Sequence, residues 1–138
     1  MNGLLICDDL IFTSKVTATA RAKGLHVVPV RSFEAALKAA AQEPPDCVIV
    51  DLHNQGLNIQ ALLAGLSQPL AASRSIPPTM PKVIAFGSHV DVETLRAARE
   101  AGCDLVMPRS QFVKRLEGDL KGWFGEPRSD QAVLQQGE

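Results

Sequence analysis

Short apolar runs alternate with longer amphipathic stretches along the chain. Leu4–Cys7, His26–Val30, Cys47–Val50, Val83–Phe86 and Leu105–Met107 are mostly unbroken apolar runs. That is the pattern of strands covered on both faces, and it lacks the polar–apolar alternation of half-wet antiparallel strands. Between the runs the spacing turns helical. After Ser32, an N-cap residue, Phe33, Ala36, Leu37, Ala40 and Ala41 form one stripe that Pro44 and Pro45 end. Ile59, Leu62, Leu63 and Leu66 repeat the spacing, and Asp91 caps a helix carrying Val92, Leu95 and Ala98 that Gly102 closes in a left-handed conformation. The last helix starts near Ser110, with Phe112, Val113, Leu116, Leu120 and Trp123 on one side, while Gly118 and Gly122 predict fraying toward its end. The first helix, Thr13–Lys23, has Val16 as its large apolar anchor and Gly24 to close it.

Strands alternating with helices predict an α/β fold, a parallel sheet whose strands are joined by crossover helices. Residues 68–81, with Pro69, Pro77, Pro78 and Pro81, read as an extended loop feeding the fourth strand. Residues 1–124 form the predicted domain, and residues 125–138, with little apolar material to pack, the predicted disordered C-terminal tail.

Composition narrows the function. A chain of 138 residues at 46% hydrophobic has the material for one core. With 14 Lys+Arg against 15 Asp+Glu, no global field draws it to nucleic acid or an anionic membrane, and aromatics at 4% leave little for stacking on bases. The apolar runs are too short for a membrane helix and follow no basic leader, which predicts a soluble, cytoplasmic protein. Cys7, Cys47 and Cys103 form no C-x-x-C pair and sit in or beside apolar runs, so they read as buried, reduced thiols.

The chemistry lies at the strand ends. In open parallel sheets, ligands bind outside the carboxyl ends of the strands. The first run stops at Asp8 and Asp9 and the third at Asp51, so if those strands are neighbours the carboxylates share one rim. Like charges at close range favour a cation between them, and a hard divalent ion such as Mg²⁺ takes oxygen ligands. One acid after one strand means little, because Asp caps helices and favours turns; acids on two strand ends are harder to attribute to local structure.

An apolar strand ending in a double acid (LLICDD), a later one ending in a single acid (CVIVD) and an Ala-Gly segment before the last strand (REAGCDLVMPRS) resemble response-regulator receiver domains over residues 3–122. The resemblance implies a five-stranded parallel doubly wound sheet of order 2-1-3-4-5 with helices on both faces. It also implies that Asp8 and Asp9 help hold Mg²⁺, with Asp51 and the backbone carbonyl of His53 completing the metal site. Asp51 would accept a phosphoryl group from a histidine kinase or phosphotransfer protein. Arg109 and Ser88 would contact the phosphoryl oxygens. The implied protein turns over no separate substrate and at most phosphorylates and dephosphorylates itself. It signals to a downstream protein by docking, as a monomer or weak homodimer, through the face of the fourth helix, fifth strand and fifth helix, including Val92, Arg96, Arg99, Val106, Arg109 and Lys114.

Three positions depart from the family pattern. Receivers place Thr or Ser directly after the fourth strand, where this chain has Gly87, with Ser88 one residue late. The family's Lys is replaced by Arg109, a planar fork instead of a compact ammonium, and its aromatic switch residue by Val106. These departures define the alternative, an unphosphorylated pseudo-receiver that binds partners through a fixed face. A third class, a transition-metal enzyme using His53 and His89 beside the acids, lacks any supporting spacing such as H-E-x-x-H; both read as solvated loop residues, and His26 as a packed or hydrogen-bonded one. No G-x-x-x-x-G-K-[ST], G-x-G-x-x-G or G-x-S-x-G motif is present, and Asp8 and Asp9 are adjacent, not spaced as D-x-D.

Overall fold

A computed structural model describes residues 2–67 and 80–125. Most of the proline-rich loop and the tail beyond residue 125, both singled out in the sequence, lie outside the described residues. The elements run β1 (Asn2–Ile6), α1 (Leu10–Ala22), β2 (His26–Val30), α2 (Phe33–Gln42), β3 (Cys47–Asp51), α3 (Ile59–Leu66), β4 (Lys82–Gly87), α4 (Val92–Ala101), β5 (Leu105–Pro108) and α5 (Arg109–Gly125). All strand pairs are parallel, in the order β2-β1-β3-β4-β5. No described helix is long and apolar enough to cross a membrane.

Unbroken apolar runs are required because both sheet faces are covered, with side chains alternating between them. Leu5, Cys7, Cys47, Ile49, Ile84 and Phe86 face one layer, packed with Phe12 and Val16 of α1 and Phe112, Leu116, Leu120 and Trp123 of α5. Leu4, Ile6, Val48, Val50, Val83 and Ala85 face the other, against Ala36 of α2, Leu62 and Leu63 of α3, and Leu95 and Ala98 of α4. Each fully buried large side chain contributes roughly 1.5–3 kcal/mol.

Local chemistry sets the element ends. Asp9, Ser32, Asn58 and Asp91 each accept a backbone N–H of the following helix as N-caps. Gly102 ends α4 at φ +113°, a conformation that a side chain disfavours. The first helix starts earlier than Thr13, at Leu10, because Asp9 caps it. The last helix begins at Arg109, directly after β5, and continues through Gly118 and Gly122 to Gly125 without the expected fraying. Burial of Leu120 between those glycines and of Trp123 and Phe124 beyond them supplies the reason. Pro29 is accommodated because β2 is an edge strand, paired among the described residues with β1 alone. His26, at the start of that strand, is exposed rather than packed.

Candidate functional site

Strand parity positions the site. In β3, Cys47 and Ile49 face the α1/α5 layer, and Asp51 continues their alternation. Register pairs Ile6 with Val50, which brings Cys7, the residue after β1, opposite Asp51. Asp51 is 4% exposed, and a carboxylate so placed must be paired. Its Oδ1 accepts the His53 N–H at 2.9 Å. Its Oδ2 accepts from Arg109 Nη2 at 3.3 Å and from the Cys7 thiol at 3.6 Å. Burial foremost pushes the Cys7 thiol up, and the charge of Asp51 adds to it, so Cys7 acts as a donor and not a thiolate. The turn after Asp51 is held by Asn54, whose N–H donates to the Asp51 carbonyl at 3.0 Å and whose Nδ2 donates to the Arg31 carbonyl at 2.8 Å.

Arg109 is the first residue of α5, and its guanidinium lies over the rings of Phe12 and Phe86, 4.9 and 5.3 Å from their centroids. Cation–π attraction thereby holds the fork at the rim. One arm reaches Asp51, and the other, Nη1, stands 3.9 Å from Asp9 Oδ2. Asp9 divides its carboxylate, Oδ1 capping α1 through Phe12 N at 3.1 Å while Oδ2 faces Arg109. Asp8 is exposed beside it.

Of the residues singled out in the sequence, Asp9, Asp51 and Arg109 come together. Several others are arranged differently from expectation. The three carboxylates are not gathered into a ready cage: among the described residues no group of three or more His, Cys, Asp or Glu side chains is placed to hold a metal ion. The guanidinium of Arg109 takes the cation's place between Asp9 and Asp51. The donor set itself, carboxylate oxygens at the ends of neighbouring strands, suits a hard divalent ion. Ser88 does not hydrogen-bond Asp51; its Oγ accepts from Val90 N at 3.3 Å, closing its own turn. His53 is exposed, as expected of a loop residue, but it is also tied in: its N–H donates to Asp51 Oδ1 at 2.9 Å and its ring Nε2 accepts the Ser88 N–H at 3.0 Å. His89 is exposed. Arg109, expected on the docking face, turns into the site, whereas Val92 remains 56% exposed and Arg96 pairs with Glu93 at 3.7 Å.

Sequence reasoning missed the Cys7 thiol, the Phe12–Phe86 shelf and the His53 ring. Register between β1 and β3 was the available signal for Cys7. Phe12 and Phe86 come from distant segments and meet only in the fold, with ring centroids 4.8 Å apart.

Against known proteins, no protein-family model matches the chain. The chain is 30% identical over 114 residues to the sensory/regulatory protein RpfC of Xanthomonas campestris, a match covering 82% of this chain but only 15% of RpfC's length. Two solved receivers share its fold. The CheY-like response regulator receiver domain of Methylobacillus flagellatus superposes with a TM-score of 0.69 at 19% identity, covering 89% of this chain and 98% of that one. The receiver domain of sensor histidine kinase PA1611 from Pseudomonas aeruginosa, solved with a magnesium ion coordinated in its active-site cleft, gives 0.67 at 16% identity, covering 91% and 98%. The chain has the CheY-like fold of response-regulator receiver domains, with the expected strand order β2-β1-β3-β4-β5.

Proposed function

We propose that Asp51 accepts a phosphoryl group from a histidine kinase or phosphotransfer protein and that the domain passes the signal on by docking to a downstream protein in the cytoplasm. The observation that carries this reading is a buried carboxylate at the rim of the sheet, held by a backbone N–H on one oxygen and a guanidinium on the other. Such pairing fixes the orientation of the Asp51 carboxylate, whose oxygen serves as the nucleophile. Attack by a carboxylate oxygen on the phosphorus forms the acyl phosphate and breaks the phosphorus–nitrogen bond of a phosphohistidine, the bonding electrons leaving with the imidazole. The Arg109 fork would meet the negative oxygens of the transferred group, a role its position over the Phe12 and Phe86 rings supports.

Asp8, Asp9 and Asp51 would hold Mg²⁺ once Arg109 gives way, and the ion would offset repulsion between carboxylate and phosphoryl oxygens. The magnesium ion in the active-site cleft of the PA1611 receiver supports a magnesium-dependent reading by likeness of fold. Ser88 Oγ accepts from Val90 N, and its own O–H can still donate to a phosphoryl oxygen. The domain acts on no substrate other than its own aspartate, as a monomer or weak homodimer. Incubation with acetyl phosphate and Mg²⁺ should add one phosphoryl mass that Asp51→Asn abolishes. An unchanged mass in the wild type would leave the unphosphorylated interaction module as the reading.

A further inference from the structure

Asp51 faces Phe86 across the β3–β4 pair, so the next β4 residues, Gly87 and Ser88, run past the rim beside its carboxylate. A Cβ at position 87 would lie 3.2 Å from His53 Nε2 and 3.4 Å from His53 Cδ2. The imidazole thus fills the space that a side chain at 87 would need. Its Nε2 also accepts the Ser88 N–H at 3.0 Å, which requires a neutral ring with its proton on Nδ1. The backbone N–H of the same histidine holds Asp51 Oδ1 at 2.9 Å. One residue therefore grips the carboxylate with its main chain and, with its ring, the turn leading to α4, whose cap Asp91 has Oδ2 4.0 Å from Nε2.

Backbone N–H groups at such turns are natural ligands for anions, and a charged oxygen is a stronger acceptor than a neutral imidazole. We propose that His53 is a positioning residue that plugs the gap over Gly87, occupying the Ser88 N–H until a phosphoryl group on Asp51 claims that donor and displaces the ring, which couples occupancy of Asp51 to the β4–α4 turn. The inference rests on Asp51 being the acceptor. It assigns to the Gly87–His53 pair a task that a hydroxyl at 87 cannot perform in this chain.

Beryllofluoride with Mg²⁺ serves as the phosphoryl probe. Fluorine NMR reports the adduct, and nitrogen-15 NMR reports His53 Nε2 and the Ser88 amide. In the wild type the adduct should move both nitrogen signals, Nε2 losing its hydrogen-bonded shift. His53→Ala, with the donor already free, should take the adduct at a roughly fivefold lower concentration, the net worth of one hydrogen bond. His53→Gln, whose side-chain oxygen can accept the same N–H, should bind like the wild type. An adduct that leaves Nε2 and the Ser88 amide unmoved overturns the proposal, as does His53→Ala binding no tighter. No adduct in either protein instead removes Asp51 as acceptor and this inference with it.

A second arm needs no adduct. Gly87→Ala should shift the Ser88 amide and lower stability, and the combined Gly87→Ala/His53→Ala change should recover part of that loss. Strictly additive losses would show that the ring does not occupy the space over Gly87.

Discussion

Arg109→Ala tests the electrostatic core of the site. The substitution leaves the Asp51 side chain, 5% exposed, with the His53 N–H and a weak thiol donor as partners. A buried acceptor stripped of a charged donor costs about 1–3 kcal/mol. The Arg109 side chain is 37% exposed, so solvent screening holds the ion-pair loss to the lower half of that range. Lost contact with Phe12 and Phe86 adds about 0.5–1 kcal/mol. The sum, about 2 kcal/mol, corresponds to a fall in Tm of roughly 6–12 °C for a domain of this size. Thermal unfolding followed by circular dichroism measures it. Mg²⁺ at about a hundredfold excess over its Kd should return up to about 2.7 kcal/mol to the Arg109→Ala protein, since the carboxylates then have a cation. Adding Asp51→Asn to Arg109→Ala should also relieve the loss, because a neutral amide needs no counter-charge. A cost below about 0.5 kcal/mol, or a loss equally large with Asn at 51, refutes the bridging role assigned to Arg109.

Other consequences are simpler to measure. Phe112 is fully buried, with ring centroids 4.7 Å from Phe86 and 5.6 Å from Trp123, so Phe112→Ala should cost about 3–5 kcal/mol in urea unfolding. Gly102→Ala forces a side chain into φ +113° and should lower stability by about 1 kcal/mol or more in the same assay. Burial pushes the Cys47 thiol from 9.0 up to about 12. The unfolded chain releases this proton first, so the stabilisation is complete below pH 9.0 and is lost as pH rises toward about 12, with a slope near 1.4 kcal/mol per pH unit for that thiol. Cys47→Ala should flatten the slope in alkaline unfolding curves. In the native protein Cys7 and Cys47, both buried, should react with a thiol reagent far more slowly than in urea.

How far the sequence reached is clearest element by element. Unbroken apolar runs flanked by helical stripes carried the α/β class, because strands covered on both faces cannot alternate polar and apolar residues. Asp91 and Gly102 marked the ends of α4 because capping is local chemistry between neighbours in the chain. Where a local signal had competition, the ends moved: Asp9 serves both the acidic rim and the N-cap of α1, so the helix starts at Leu10.

Asp51 at the tip of a buried strand was visible in CVIVD, and Asp8 and Asp9 in LLICDD. What those acids do to one another was not. Arg109 lies 58 residues from Asp51 in the chain, and its choice of partner depends on an aromatic shelf that exists only once α1, β4 and α5 have packed. His53 looked like a loop residue until Gly87, on a different strand, left room for its ring. The sequence by itself determined which residues are apolar, which cap and which strands end in acid, since those depend on composition and near neighbours. Only the tertiary structure decided that a guanidinium stands between two carboxylates and an imidazole over a glycine, because side-chain partners are chosen by distances across the sheet that spacing along the chain does not encode.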